Sequence, residues 1–143
     1  MHFLQIIYEH KQVLDPVIAE HDGILIKTEA DSLLLIFRRV QSAIKCAVEM
    51  QKRLTQMNET RAPETQVLLC VGIGFGQILR IGDHDVFGRE VNAASKLGED
   101  TAKANEILVT KAGVDAAGKM KGFSFEKIDV QVAGSADNYK LIY

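Results

Sequence analysis

Asp85-Val-Phe-Gly-Arg-Glu-Val-Asn92-Ala-Ala-Ser-Lys96-Leu-Gly-Glu99 is the most informative stretch of this 143-residue chain. Read as a helix, it sets Asn92, Lys96 and Glu99 at i, i+4 and i+7, a single polar stripe, and turns Val91, Ala94 and Leu97 toward a core. An amide and an ammonium on one face can meet a sugar oxygen and a phosphate. The same stripe also serves as a solvated face, with Glu99 and Lys103 as a surface pair.

Working outward, the helix is predicted over 91–102. Upstream, 67–74 and 76–81 read as strands of a hairpin joined tightly through Gly74-Phe-Gly76. Gly72-Ile-Gly-Phe-Gly76 resembles a dinucleotide fingerprint only superficially, because that motif needs a helix directly after its strand. These glycines are read as shaping a hairpin and permitting close packing. Downstream, the pattern predicts a strand over 106–110, a short helix over 112–119, and strands over 123–130 and 139–143.

Toward the N-terminus, Phe3, Ile6, Ile7, His10, Leu14, Val17 and Ile18 repeat with helical spacing, kinked by Pro16 and stopped at His21-Asp22-Gly23. Ile24-Leu-Ile26 and Ser32-Leu-Leu-Leu-Ile-Phe37 follow as two strands around Lys27-Thr-Glu-Ala-Asp31. A second amphipathic helix carries Val40, Ala43, Ile44, Ala47, Gln51 and Leu54, and 57–63 is a loop. Helix, hairpin, helix, hairpin gives an α+β fold, an antiparallel sheet with flanking helices, in one domain spanning 1–143.

The chain is 47% hydrophobic and 25% charged, and 17 Lys plus Arg against 19 Asp plus Glu leave a net charge of −2. That balance gives no overall field for nucleic acid or an acidic membrane. Its longest apolar runs fall far short of the roughly 20 residues a bilayer requires, so a cytoplasmic protein is expected. Cys46 and Cys70 lack metal-ligand spacing and are read as reduced, buried small hydrophobes. No role is given to His2, His10, His21 or His84.

Lys27-Thr-Glu-Ala-Asp31, the apolar strand to Phe37, Val71-Gly-Ile-Gly-Phe-Gly76, Asp85-Val-Phe-Gly88, Val91-Asn-Ala-Ala-Ser-Lys96 and Asn105-Glu-Ile-Leu-Val-Thr110 resemble, in order and spacing, the catalytic domain of class III adenylate/guanylate cyclases. The resemblance covers about 3–112 and implies a ferredoxin-like nucleotidyl cyclase fold. It implies conversion of ATP to 3′,5′-cyclic AMP and pyrophosphate, with magnesium or manganese, in a head-to-tail homodimer.

Residue by residue, Asp31 resembles the second of two metal-binding aspartates, and Lys27 with Asp85 the pair that reads the purine edge. Lysine donating to a ring nitrogen and aspartate accepting from the exocyclic amino group suit adenine, whose edge guanine reverses. Asn92 matches the asparagine that positions the ribose. Lys96 stands where the family usually has an arginine that stabilises charge on the α-phosphate, so a point charge replaces a planar fork.

Ala30 stands where a glycine is usual. The strand that carries the family's first metal aspartate has no counterpart ahead of the opening helix. The expectation is therefore a cyclase domain missing its first strand and impaired in catalysis, with one carboxylate for a two-metal site. The alternative is a non-catalytic cyclase-homology domain for dimerisation or nucleotide-dependent regulation.

Overall fold

The computed structural model describes residues 14–29, 32–62, 66, 68–77, 79–81, 85–103 and 105–143. Residues 14–20 are helical, here α1. They are followed by β1 (Ile24–Glu29), β2 (Ser32–Ile36), α2 (Val40–Asn58), β3 (Val71–Ile73), β4 (Leu79–Ile81), β5 (Asp85–Phe87) and α3 (Arg89–Lys96). A π-helical turn (Leu97–Thr101), β6 (Ile107–Thr110), α4 (Lys111–Ala117), β7 (Ser124–Ile128) and β8 (Asn138–Ile142) complete the order. The α+β fold expected from the sequence is present. The expected opening half of the first helix and the question of a strand before it fall on 1–13, outside the described residues.

α1 ends where His21-Asp22-Gly23 predicts. The Gly23 N–H donates to the Ile18 carbonyl at 2.9 Å, and Asp22 takes a left-handed φ of 59°. β1 and β2 pair antiparallel with Glu29 opposite Ser32, and a register shift between Leu25 and Lys27 marks a bulge. β1 thus runs past Ile26 to include Lys27, which the sequence had assigned to the connecting turn. α2 lays Val40, Ile44, Ala47, Gln51 and Leu54 on its buried face, as the spacing requires.

The larger sheet has the order β3-β6-β8-β7. β6 lies inside it, and all four of its residues are buried, Ile107 to Thr110. The expected hairpin of 67–74 with 76–81 is not formed. β3 instead runs parallel to β6, with Val71 opposite Ile107 and Ile73 opposite Val109. β4 turns back on β5, pairing Leu79 with Phe87 and Ile81 with Asp85. A parallel partner 36 positions away leaves no local signature, whereas adjacent strands always suggest a hairpin. The core gathers Leu14, Val17, Ile18, Ile44, Leu54, Ile73, Ile107, Val109 and Leu141 from α1, α2 and the larger sheet.

Close packing at the glycines is real although the hairpin is not. A Cβ on Gly72 would lie 2.1 Å from the Ala94 carbonyl oxygen and 2.5 Å from the Gly98 nitrogen, both backbone atoms. β3 can therefore approach α3 and the π turn only as glycine. Gly72→Ala should lower stability by about 1–3 kcal/mol through forced separation of these elements. Gly76→Ala, which meets only the flexible Glu90 side chain, should cost less. Urea unfolding midpoints check this; equal midpoints for Gly72→Ala and the parent would contradict it.

Candidate active site

α3 begins directly after β5 and Gly88, so Asp85 and Asn92 sit on one continuous β5–α3 unit. The Asn92 N–H donates to the Gly88 carbonyl at 3.1 Å, closing the first turn. Asn92 and Lys96 are both exposed, one turn apart on the outer face, as the sequence predicts. The inward face differs from the expectation. Ala93 and Leu97 are fully buried, whereas Val91 and Ala94 are only half-buried. Helical spacing from Leu97 picks Ala93 at i−4, and the Ala94 carbonyl lies against Gly72 of β3.

Regular α-helix stops at Lys96, and the chain continues as the π turn, with the Ala102 N–H donating to the Leu97 carbonyl at 2.7 Å. The expected single helix over 91–102 is thus an α-helix followed by a π turn. Lys96 stands at the junction, the kind of local irregularity that recurs at functional sites.

The backbone of Lys27 lies on β1, where it pairs with Leu34, and the backbone of Asp85 lies on β5 opposite Ile81. β1 and β5 pack against each other, so the strands that carry the two candidate base-reading residues are neighbours. Asp31 lies outside the described residues. Among the described residues no three His, Cys, Asp or Glu side chains converge to hold a metal ion.

Glu90, which the sequence reading passed over, proves central to the geometry. Its Oε1 accepts the Phe75 N–H at 3.0 Å and the Thr110 hydroxyl at 2.6 Å. The Thr110 oxygen in turn accepts the Gly113 N–H at 3.1 Å and caps α4. A carboxylate in the first turn of a helix is the available signal.

The cysteines split. Cys46 is buried, and burial pushes its thiol up to about 11. Cys70 is exposed, contrary to the expectation, because it precedes β3 outside the sheet. Burial and the nearby Glu106 carboxylate raise its pKa as well.

The site is thus an α+β arrangement in which α3, with its exposed amide and ammonium, follows the β4–β5 hairpin. The chain belongs to the adenylate and guanylate cyclase catalytic domain family, whose model matches residues 1–142. It is 31% identical over 125 residues to "Putative adenylate cyclase 3" of Rhizobium meliloti (strain 1021), covering 87% of this chain and 20% of that protein. The chain thus spans about a fifth of that relative's length.

Among solved structures it resembles an adenylate/guanylate cyclase/hydrolase from Silicibacter pomeroyi, with TM-score 0.82, 24% identity, and 93% and 80% of the two chains covered. It also resembles the catalytic core of a rhodopsin-guanylyl cyclase with converted specificity in complex with ATPαS, with TM-score 0.78, 19% identity, and 98% and 82% covered. Among the described residues no helix is long and apolar enough to cross a membrane.

Proposed function

We propose that this domain converts ATP to 3′,5′-cyclic AMP and pyrophosphate as a cytoplasmic signalling enzyme. The observation that supports it most is the exposed pair Asn92 and Lys96 on the outer face of α3, on the same unit as Asp85 and beside the strand of Lys27. The ribose 3′-oxygen attacks the α-phosphorus, and the bond to the β-phosphate oxygen breaks. The hydroxyl proton passes to water, and pyrophosphate leaves with the bonding pair.

In this reading the Asn92 amide holds the ribose so that the 3′-oxygen lies in line, and Lys96 balances the charge growing on the α-phosphate oxygens. Lys27 donates to an adenine ring nitrogen, and Asp85 accepts from the amino group. A divalent magnesium or manganese ion, with Asp31 as its ligand, would neutralise the triphosphate and favour the ionised 3′-oxygen. Two copies assemble head to tail, Asp31 of each facing Asn92 and Lys96 of the other.

Given ATP or GTP with manganese, the chain should form cyclic AMP at a low rate, as one carboxylate for a two-metal site implies, and less cyclic GMP. Lys96 in an arginine position favours a second reading, a non-catalytic domain that binds nucleotide to regulate a partner. Nucleotide binding without turnover would support that reading against the first.

A further inference from the structure

We propose that Glu90 is a positioning residue that fixes the face of α3 presented to substrate, an inference that rests on the cyclase reading of Asn92 and Lys96. Successive residues on an α-helix turn by about 100°, so Glu90 lies about 200° round from Asn92 and about 240° from Lys96. It grips the helix from the side opposite the substrate-facing residues. One oxygen, Oε1, joins three parts of the fold: the loop after β3 through the Phe75 N–H, the end of β6 through Thr110, and, by way of the Thr110 hydroxyl, the start of α4.

The loop is shaped to admit this side chain. A Cβ on Gly74 would stand 2.7 Å from the Glu90 carbonyl oxygen and 3.0 Å from Oε1, and one on Gly76 would stand 2.8 Å from Glu90 Cγ. A Cβ at position 74 would press on the Glu90 backbone, and one at 76 would push the Glu90 side chain aside. Thr110 is fully buried and Glu90 half-buried, so their short bond is partly shielded from competing water. Asn92 follows two residues later in the same turn. A rotation or slide of α3 when the clamp is cut would carry Asn92 and Lys96 off line together.

The test combines kinetics with amide exchange. Glu90→Ala should lower kcat up to about 100-fold, as a misplacement on the order of 1 Å does, and change KM far less. Glu90→Gln, which keeps an acceptor oxygen, should retain most of the rate. Thr110→Val should reproduce the defect, and Thr110→Ser should not.

In the Asn92→Ala background Glu90→Ala should cost clearly less than it does alone, because the part of its effect that runs through Asn92 is already lost and only the part through Lys96 remains. Hydrogen exchange at the Phe75 amide and along α3 should quicken in Glu90→Ala while the rest of the sheet stays protected. Full additivity with Asn92→Ala, or unchanged exchange at Phe75 and α3, would overturn the inference. If the parent chain makes no cyclic nucleotide, the cyclase reading fails on that arm, and amide exchange alone decides the clamp.

Discussion

Asp31→Ala and Asn92→Ala should each lower cyclic AMP formation by about 100-fold or more, and an equimolar mixture should recover about a quarter of the parent rate. Random pairing makes half the dimers mixed, and a mixed dimer keeps one intact site of two when each site draws Asp31 from one copy and Asn92 from the other. Losing the ribose-orienting amide alone accounts for a loss of that size, since misalignment of the 3′-oxygen by about 1 Å can cost about 100-fold. The mixture is assayed by cyclic AMP yield after co-refolding. Recovery of no activity, with both variants folded and dimeric, would place all the residues of a site in one copy.

Lys27→Glu should erode the preference for ATP over GTP by about 100-fold or more in kcat/KM. A site built to pair one base edge rejects the other because buried polar groups are left without partners, a larger effect than any lost methylene. β1 and β5 pack against each other, so the strands that carry Lys27 and Asp85 are neighbours. Competition between ATP and GTP measures the ratio. An unchanged ratio would remove the pair from base reading.

The parts of the fold legible in the sequence were those with local signals. α2 declared itself through the spacing of Val40, Ile44, Ala47, Gln51 and Leu54, and the end of α1 through Asp22 and Gly23. The strand predicted over 106–110 is β6, whose apolar run Ile107-Leu-Val109 is buried along with Thr110.

What failed was pairing over distance. Val71–Ile73 carries nothing that distinguishes a parallel partner at β6 from a hairpin partner at β4, because the choice is made by packing Gly72 against Ala94 and Gly98. Of the candidate site, Asn92, Lys96, Lys27 and Asp85 came from motif order, whereas the strands that carry Lys27 and Asp85 did not. Glu90 was missed because its partners, Phe75 and Thr110, lie 15 and 20 positions away. A first-turn glutamate without those contacts is merely a good helix residue.

The most direct measurement of the central claim follows the phosphorus of ATP in the presence of the protein and manganese. The account predicts 3′,5′-cyclic AMP and pyrophosphate appearing in equal amounts by phosphorus NMR, with loss of both signals in Asn92→Ala. Release of inorganic phosphate with ADP, or unchanged ATP from a folded dimer that binds it, would contradict it.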